Sequence, residues 1–500
     1  MPILSELRRR KVYQSVGIYL AAAWAILQVG GFVTELWDSP PWVLRALFLL
    51  LLAGIPVVFT VSWLFDFSHG SLVATDPPPP RGRLRLAAAS TLVLFGVLLL
   101  AAYLWPDERP SADVRRLRLT TTTIDGDAHA YDYGLFGFNA PRGSDFWQHG
   151  RFRVNTYNGL GIELPNPPDA LRFTVDRDDL CRLREAGCWP RFQSEAVGIE
   201  RLLEANADLL ERYRALSDAR SFANVIHVDW QSPLPEFQNL FIAQSLLGRE
   251  LVRGEPGAAG AALAEQIGFH RLILAESQNV IGKMVAAALL EEDLRLYAEL
   301  GGPGPAPARL SPAEMSFVAP FRWEAMSLVN GLDVDRETIA AAQMTEPLDR
   351  ALFRVVPYLP NRTVNAMVAP ILRAAEASLL SPAELAARRD EFAPQEPDTG
   401  EWLTNTAGAF MWRGVPDFLS YVERIHDLDA LIVLAQVVHA AHAEGVDAST
   451  VSAFLLALPA ELRDPADGRP PAWADGVLAF EGRAEARIVP RLSLALPTTR

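Results

Sequence analysis

The sequence predicts an all-α protein: three transmembrane helices, then a mostly helical extracytoplasmic domain that ends in a small C-terminal β-hairpin. Three observations predict this. Three apolar stretches of about 20 residues, each long enough to cross a bilayer, stand within the first 105 positions. From residue 193 to 460, apolar side chains recur at three- and four-residue steps, the period of an amphipathic helix. From 461 to 500 that period gives way to turn residues and two short strand-like runs.

Residues 1–12 form a basic N-terminus carrying Arg8, Arg9, Arg10 and Lys11. Residues 13–34 hold no charge and are the first expected span. Residues 43–65 are the second, with Arg45 placed to snorkel at one end and Pro56 placed to kink it. Residues 86–105 are the third, again uncharged. Trp37, Trp42, Trp63 and Trp105 sit at the ends of these stretches, where interfacial tryptophans belong. The loop 66–85 is rich in proline and arginine, with Arg81, Arg83 and Arg85, and its stretch DPPPPRGR at 76–83 reads as a short, stiff, extended linker. With arginines before the first span and after the second, the positive-inside rule places the N-terminus and this loop in the cytoplasm and everything after residue 105 outside.

The stretches ELRRRKVYQSVGIYLAAAWAILQV and PPWVLRALFLLLLAGIPVVFTVSWLFDFSHGSL resemble the membrane-anchor module of proteobacterial tetratricopeptide-repeat and adenylate-cyclase-like membrane proteins. The resemblance covers about residues 5–75 and implies a multi-pass protein of the bacterial inner membrane, with the C-terminal domain in the periplasm. It departs from the family at Gly54-Ile55-Pro56, where Gly-Phe-Pro is usual, and no cyclase domain or 34-residue period follows. Segments such as IERLLEANADLLERYRAL and LRDPADGRPPAW are similar to uncharacterised bacterial membrane-anchored proteins.

Charge divides as hydropathy does. The chain has 60 acids and 46 bases, and residues 1–105 contain only five of the acids and eight of the bases. The remainder is strongly acidic, which argues against nucleic acid as a partner, since nothing there would neutralise phosphates.

Residues 106–192 read as a polar stem and an irregular, Gly- and Pro-rich cap. Cys181 and Cys188 are the only cysteines; seven positions apart and outside the cytoplasm, they are expected to form a disulfide. Between 193 and 460 the stripes predict an array of helices: one over 194–216, then others near 235–253, 257–275, 278–300, 336–354, 364–378, 381–391, 415–425, 427–445 and 447–458. Ser311-Pro312-Ala313-Glu314 and Ser381-Pro382-Ala383-Glu384 are helix starts of the capping-box type. Residues 477–482 and 486–496 are expected to pair as the closing hairpin.

No phosphate loop, nucleophile elbow, Cys-x-x-Cys or dinucleotide fingerprint is present, which leans against an enzyme. Lys283 is the one residue that runs against composition. It is the only lysine beyond Lys11, on a helix apolar nearly all round, where burial would favour a neutral amine. It is a candidate base, with Ser277 or His270 as partner; the structural alternatives are pairing with a carboxylate such as Glu291 or reaching the surface by its stem. His439 and His442 lie at i, i+3 and share a helix face, a weak candidate for a metal site. Asn206, Glu211, Arg212 and Tyr213 are expected to make a structural polar network. No cofactor is expected. The function expected is presentation of a periplasmic helical domain to an envelope protein or peptide, with the lipid bilayer as the other partner. The alternatives are an envelope hydrolase using Lys283 and a sensory or regulatory membrane subunit.

Overall fold

The computed structural model describes residues 12–36, isolated positions between 47 and 58, 65–68, 71–74, 96, 105–119, 127–175, 180–183, 185, 188–228, 232–332, 356–393, 395–480, 490–494 and 496. Its elements in chain order are α1 (Val12–Leu36), the hairpin β1 (Phe65–Ser68) and β2 (Ser71–Ala74), α2 (Ala112–Arg118), α3 (Tyr131–Gly137) and α4 (Phe146–Leu160). Then come α5 (Cys188–Ala196), α6 (Ile199–Ala205), α7 (Ala207–Ala215), α8 (Gln238–Arg253), α9 (Pro256–Glu276), α10 (Val280–Glu299), α11 (Pro312–Met315) and α12 (Val318–Leu332). The last are α13 (Pro360–Ala377), α14 (Pro382–Phe392), α15 (Thr399–Thr404), α16 (Thr406–Arg413), α17 (Leu419–Ala443), α18 (Val451–Ala457), and strands β3 (Ala472–Ala474), β4 (Val477–Ala479) and β5 (Arg491–Ser493). The fold is mostly helical, with few strands.

The chain forms two compact units: residues 1–115 with 331–367 and 396–415, and residues 116–330 with 368–395 and 416–500. In the first, α1 is a single helix of 25 residues carrying exposed Ile18, Leu20, Trp24, Ile26 and Val29. Its side chains are described only at 16–27 and 29, and among the described residues no helix is long and apolar enough to cross a membrane. The expected spans at 43–65 and 86–105 lie almost wholly outside the described residues. An antiparallel hairpin follows, Phe65 opposite Ala74 and Ser68 opposite Ser71, and the stretch 76–83 expected to be a stiff linker lies outside the described residues.

In the second unit the core runs along α17, whose residues from Leu428 to Val438 are almost all fully buried. Stripes near 415–425 and 427–445 were expected here as separate helices. They are one helix, because Asp429 is matched by Arg309: the guanidinium Nε lies 2.9 and 3.0 Å from its two oxygens, and the Leu310 amide donates at 3.0 Å. The reverse holds at 194–216, expected as one helix. In its place stand the end of α5, then α6 and α7; Asn206 separates the last two, accepting from the Thr174 amide at 2.7 Å and donating to the Leu202 carbonyl at 2.7 Å.

The region expected to be an irregular cap with short helical turns, 121–192, contains α3, the 15-residue α4 and the first residues of α5. Its glycines are a packing device: a Cβ on Gly137 would stand 1.8 Å from the Phe146 carbonyl, and one on Gly150 1.8 Å from that of Tyr133. Thus α3 and α4 cross backbone to backbone, an approach only glycine permits. Both Ser-Pro-Ala-Glu starts form capping boxes, at Ser311 and Ser381. The expected hairpin is present and gains a third strand: Leu478 of β4 pairs with Trp473 of β3 and Leu492 of β5.

Candidate functional site

The candidate site is a cleft of about 200 Å³ in the second unit, between residues 180–183 and the helices α8 and α10. Its entry segment is held by the bond between Cys181 and Cys188, whose Cα atoms are 5.7 Å apart. A ring that small contributes about 2.5 kcal/mol by restricting the unfolded chain. A second tie holds the segment down: the Leu183 amide donates to Glu292 Oε2 at 2.8 Å. Phe192, Phe241, Ile242 and Leu296 supply apolar walls. The Arg182 guanidinium lies 5.2 Å from the centre of the Phe241 ring.

The polar groups of the cleft are few and come mainly from one face of each helix. Gln238, Gln244 and Ser245 come from α8, and Glu292 and Asp293 from α10. Burial pushes the Glu292 carboxyl up to about 7, with the Glu291 charge adding to it and the Leu183 amide opposing. Near neutrality Glu292 therefore offers both a proton donor and an acceptor to an apolar cavity.

Behind the cleft lies a buried hydrogen-bond chain. Asp293 Oδ1 accepts from Gln244 Nε2 at 2.7 Å and from Gln266 Nε2 at 2.5 Å; Asp293 Oδ2 faces His270 Nδ1 at 2.6 Å; His270 Nε2 faces the Tyr213 hydroxyl at 2.8 Å. Asp293 and His270 are fully buried. The carboxylate assigns the Nδ1 proton to its own side, leaving Nε2 to take the phenol O–H. Burial first, and the Asp293 charge second, raise Tyr213 well above the usual phenol range, so it stays protonated. The chain resembles an acid–base relay, but its hydroxyl is not activated. What it does is cross-link α7, α8, α9 and α10 behind the cleft.

Lys283 is fully buried, as its sequence context implied, but its bonds are structural in kind. Nζ donates to the Leu274 carbonyl at 2.6 Å and to the Glu314 carbonyl at 2.7 Å, with the Phe317 ring centre 5.2 Å away. These carbonyls stand at the C-terminal ends of α9 and α11, so one amine caps two helices. Burial pushes the amine down to about 7, against the Glu314 charge. Ser277 Oγ donates to the Asn279 carbonyl and His270 is held by Tyr213 and Asp293, so the three residues share no hydrogen bond with one another. Nor does Glu291 pair with Lys283; it takes Arg295 at 2.8 Å.

His439 Nδ1 lies 3.0 Å from the Tyr297 hydroxyl and 3.3 Å from the Gly302 carbonyl, and His442 sits beside Gly301. The pair fastens the Gly- and Pro-rich loop after α10 onto α17. Among the described residues no three His, Cys, Asp or Glu side chains gather as metal ligands.

Of the four residues expected as a network, Arg212 is the most engaged, donating to the carbonyls of Phe138, Ala140 and Pro141 at 2.7, 2.6 and 2.9 Å. Asn206 and Tyr213 are bonded elsewhere as described, and Glu211 is exposed. Sequence reasoning missed Glu292, Asp293 and the two glutamines. The available signal was Asp293 itself: an acid between Leu290 and Leu294 on a helix otherwise buried on that side. Comparison with protein-family models, with curated proteins and with solved structures gives no match for this chain.

Proposed function

We propose that the chain is a membrane-anchored binding protein of the bacterial envelope, whose helical unit takes a short peptide or a peptide segment of a partner protein in the cleft beneath the disulfide. The carrying observation is the composition of that cleft: apolar walls of Phe192, Phe241, Ile242 and Leu296 around a few polar groups, with the Glu292 carboxyl on one wall. Such a cavity suits an apolar side chain together with a backbone or ammonium N–H directed at Glu292. The Cys181–Cys188 bond supports an oxidising compartment, as the periplasm is. Three apolar stretches before residue 106 support the anchor. A hydrolase draws no support from Lys283, whose amine already serves two carbonyls.

The test is selection of short peptides from a random library by the full chain in bilayer nanodiscs. Gln238 is exposed at the cleft, so Gln238→Trp obstructs it without disturbing the core. Selected peptides are expected to carry Leu or Phe anchors and to lose at least about tenfold in affinity, roughly 1.4 kcal/mol, on that substitution. Equal binding to both proteins, or failure to select any peptide, would refute this use of the cleft.

A further inference from the structure

Helices α15 and α16 meet at Asn405 and bury Glu401, Asn405, Ala407, Gly408 and Ala409 on one side. The other side is aromatic and wet. Leu403 is 64% exposed and Phe410 65% exposed, and Trp402, Met411 and Trp412 are half-buried beside them. The Trp402 and Phe410 rings meet edge to face with centres 4.9 Å apart, so the cluster is preformed. Arg413 is exposed at its end.

The position of this cluster is set by the stem that follows the third apolar stretch. Trp105 closes that stretch. Two residues on, Asp107 binds the first turn of α13: it accepts from the Asn361 amide at 2.9 Å, the Asn361 side chain at 3.0 Å and the Arg362 amide at 3.1 Å. The Ser111 amide donates to Asn365 at 2.8 Å, and Asn365 donates to the Arg109 carbonyl at 3.1 Å. The same turn of α13 is tied to α15 and α16. Asn405 Oδ1 takes the Leu359 amide at 2.8 Å, Asn405 Nδ2 donates to Thr363 at 3.1 Å, and Arg362 reaches Glu401 at 2.5 Å. A Cβ on Gly408 would fall 2.1 Å from Thr363 Oγ1, so the missing side chain there leaves room for that hydroxyl. Two residues of extended chain reach no more than about 7 Å.

We propose that Trp402, Leu403, Phe410, Met411 and Trp412 form a surface that rests on the lipid interface of the membrane in which residues 13–105 are anchored. Tryptophan and phenylalanine beside an arginine are the side chains that settle at the boundary of headgroups and acyl chains. The short, hydrogen-bonded path from Trp105 holds them next to it. The inference rests on the anchoring reading above.

The experiment uses the full chain with its native disulfide intact and one added thiol, labelled with a polarity-sensitive dye. Phe410→Cys places it on the proposed surface and Leu20→Cys in the first expected span. The chains are reconstituted in vesicles of phosphatidylethanolamine and phosphatidylglycerol, with and without a spin-labelled lipid as quencher. The dye at 410 is expected to be quenched about twofold or more by a label near the headgroups. Quenching at 20 with none at 410 overturns the surface and leaves the anchor standing, including the case in which the face is instead covered by a second copy of the chain. Quenching at neither position overturns the anchor, and the surface with it.

Discussion

Replacing Asp293 by Ala is expected to cost the second unit about 4 kcal/mol and to lower its thermal midpoint by about 10 °C. Three donors depend on this carboxylate, the amide of buried Gln244, that of half-buried Gln266 and the buried imidazole Nδ1 of His270. Removing it leaves the buried imidazole without its acceptor and takes one bond from each glutamine. Asp293→Asn keeps an acceptor for the glutamines but turns an amide donor toward the imidazole, and is expected to cost about half as much. The midpoints are read by circular dichroism on the full chain. An alanine variant as stable as the wild type would show that the chain of bonds behind the cleft does not hold α7 to α10 together.

Lys283→Met is the second large effect, expected to cost about 3 kcal/mol, because the carbonyls of Leu274 and Glu314 lose their donor at two helix ends. Its signature is pH dependence. The amine is depressed to about 7 in the folded chain, against an ordinary value of 10.5. Between those two values the unfolded chain binds the proton and the folded chain does not, so stability rises with pH through that window, by on the order of 4 kcal/mol. The methionine variant lacks this rise, so its deficit widens from about pH 7 to about pH 10. Lys283→Arg keeps donors but cannot shed its proton, and is expected to be destabilised throughout.

Buried carboxyls act in the opposite sense and lower window. Burial raises Asp132, Glu292 and Glu324 to about 7, so from about pH 4.5 upward the unfolded chain loses protons that the folded chain keeps, and stability falls. Glu195 and Glu314, held below the ordinary range by arginines and hydrogen bonds, contribute stability that is lost only as pH falls below it. The wild type is therefore expected to show a stability minimum near pH 7, measured by urea unfolding across the range. A profile flat from neutral to alkaline pH would remove Lys283 from the neutral-amine role.

What was legible in the sequence was local. Helical period located α8, α9, α10, α13 and α14 within a few residues, and the two capping boxes marked their helices because a cap is a contact among four consecutive residues. The pairing of Cys181 with Cys188 was legible for the same reason. What failed was non-local. The stripes near 415–425 and 427–445 are one helix, in which buried Asp429 is matched by Arg309 from 120 residues away. Asn206 looked like one polar residue on a stripe until Thr174 took its oxygen. Glycine read as loop in 121–192, where Gly137 and Gly150 are the contact between two helices.

The site divides along the same line. Burial of Lys283 followed from its apolar surroundings, but its destination did not, since two carbonyls on other helices decide it. The cleft and Asp293's partners come from α7, α8 and α9 meeting α10, which no spacing along the chain announces.

The disulfide and the envelope role proposed for the cleft call for residues after 105 to lie beyond the cytoplasm. A protease-cleavable tag fused after Arg500, probed in spheroplasts with an intact inner membrane, tests that requirement directly. Loss of the tag to added protease, without permeabilisation, is the predicted result. A tag that stays protected until the membrane is lysed would contradict it.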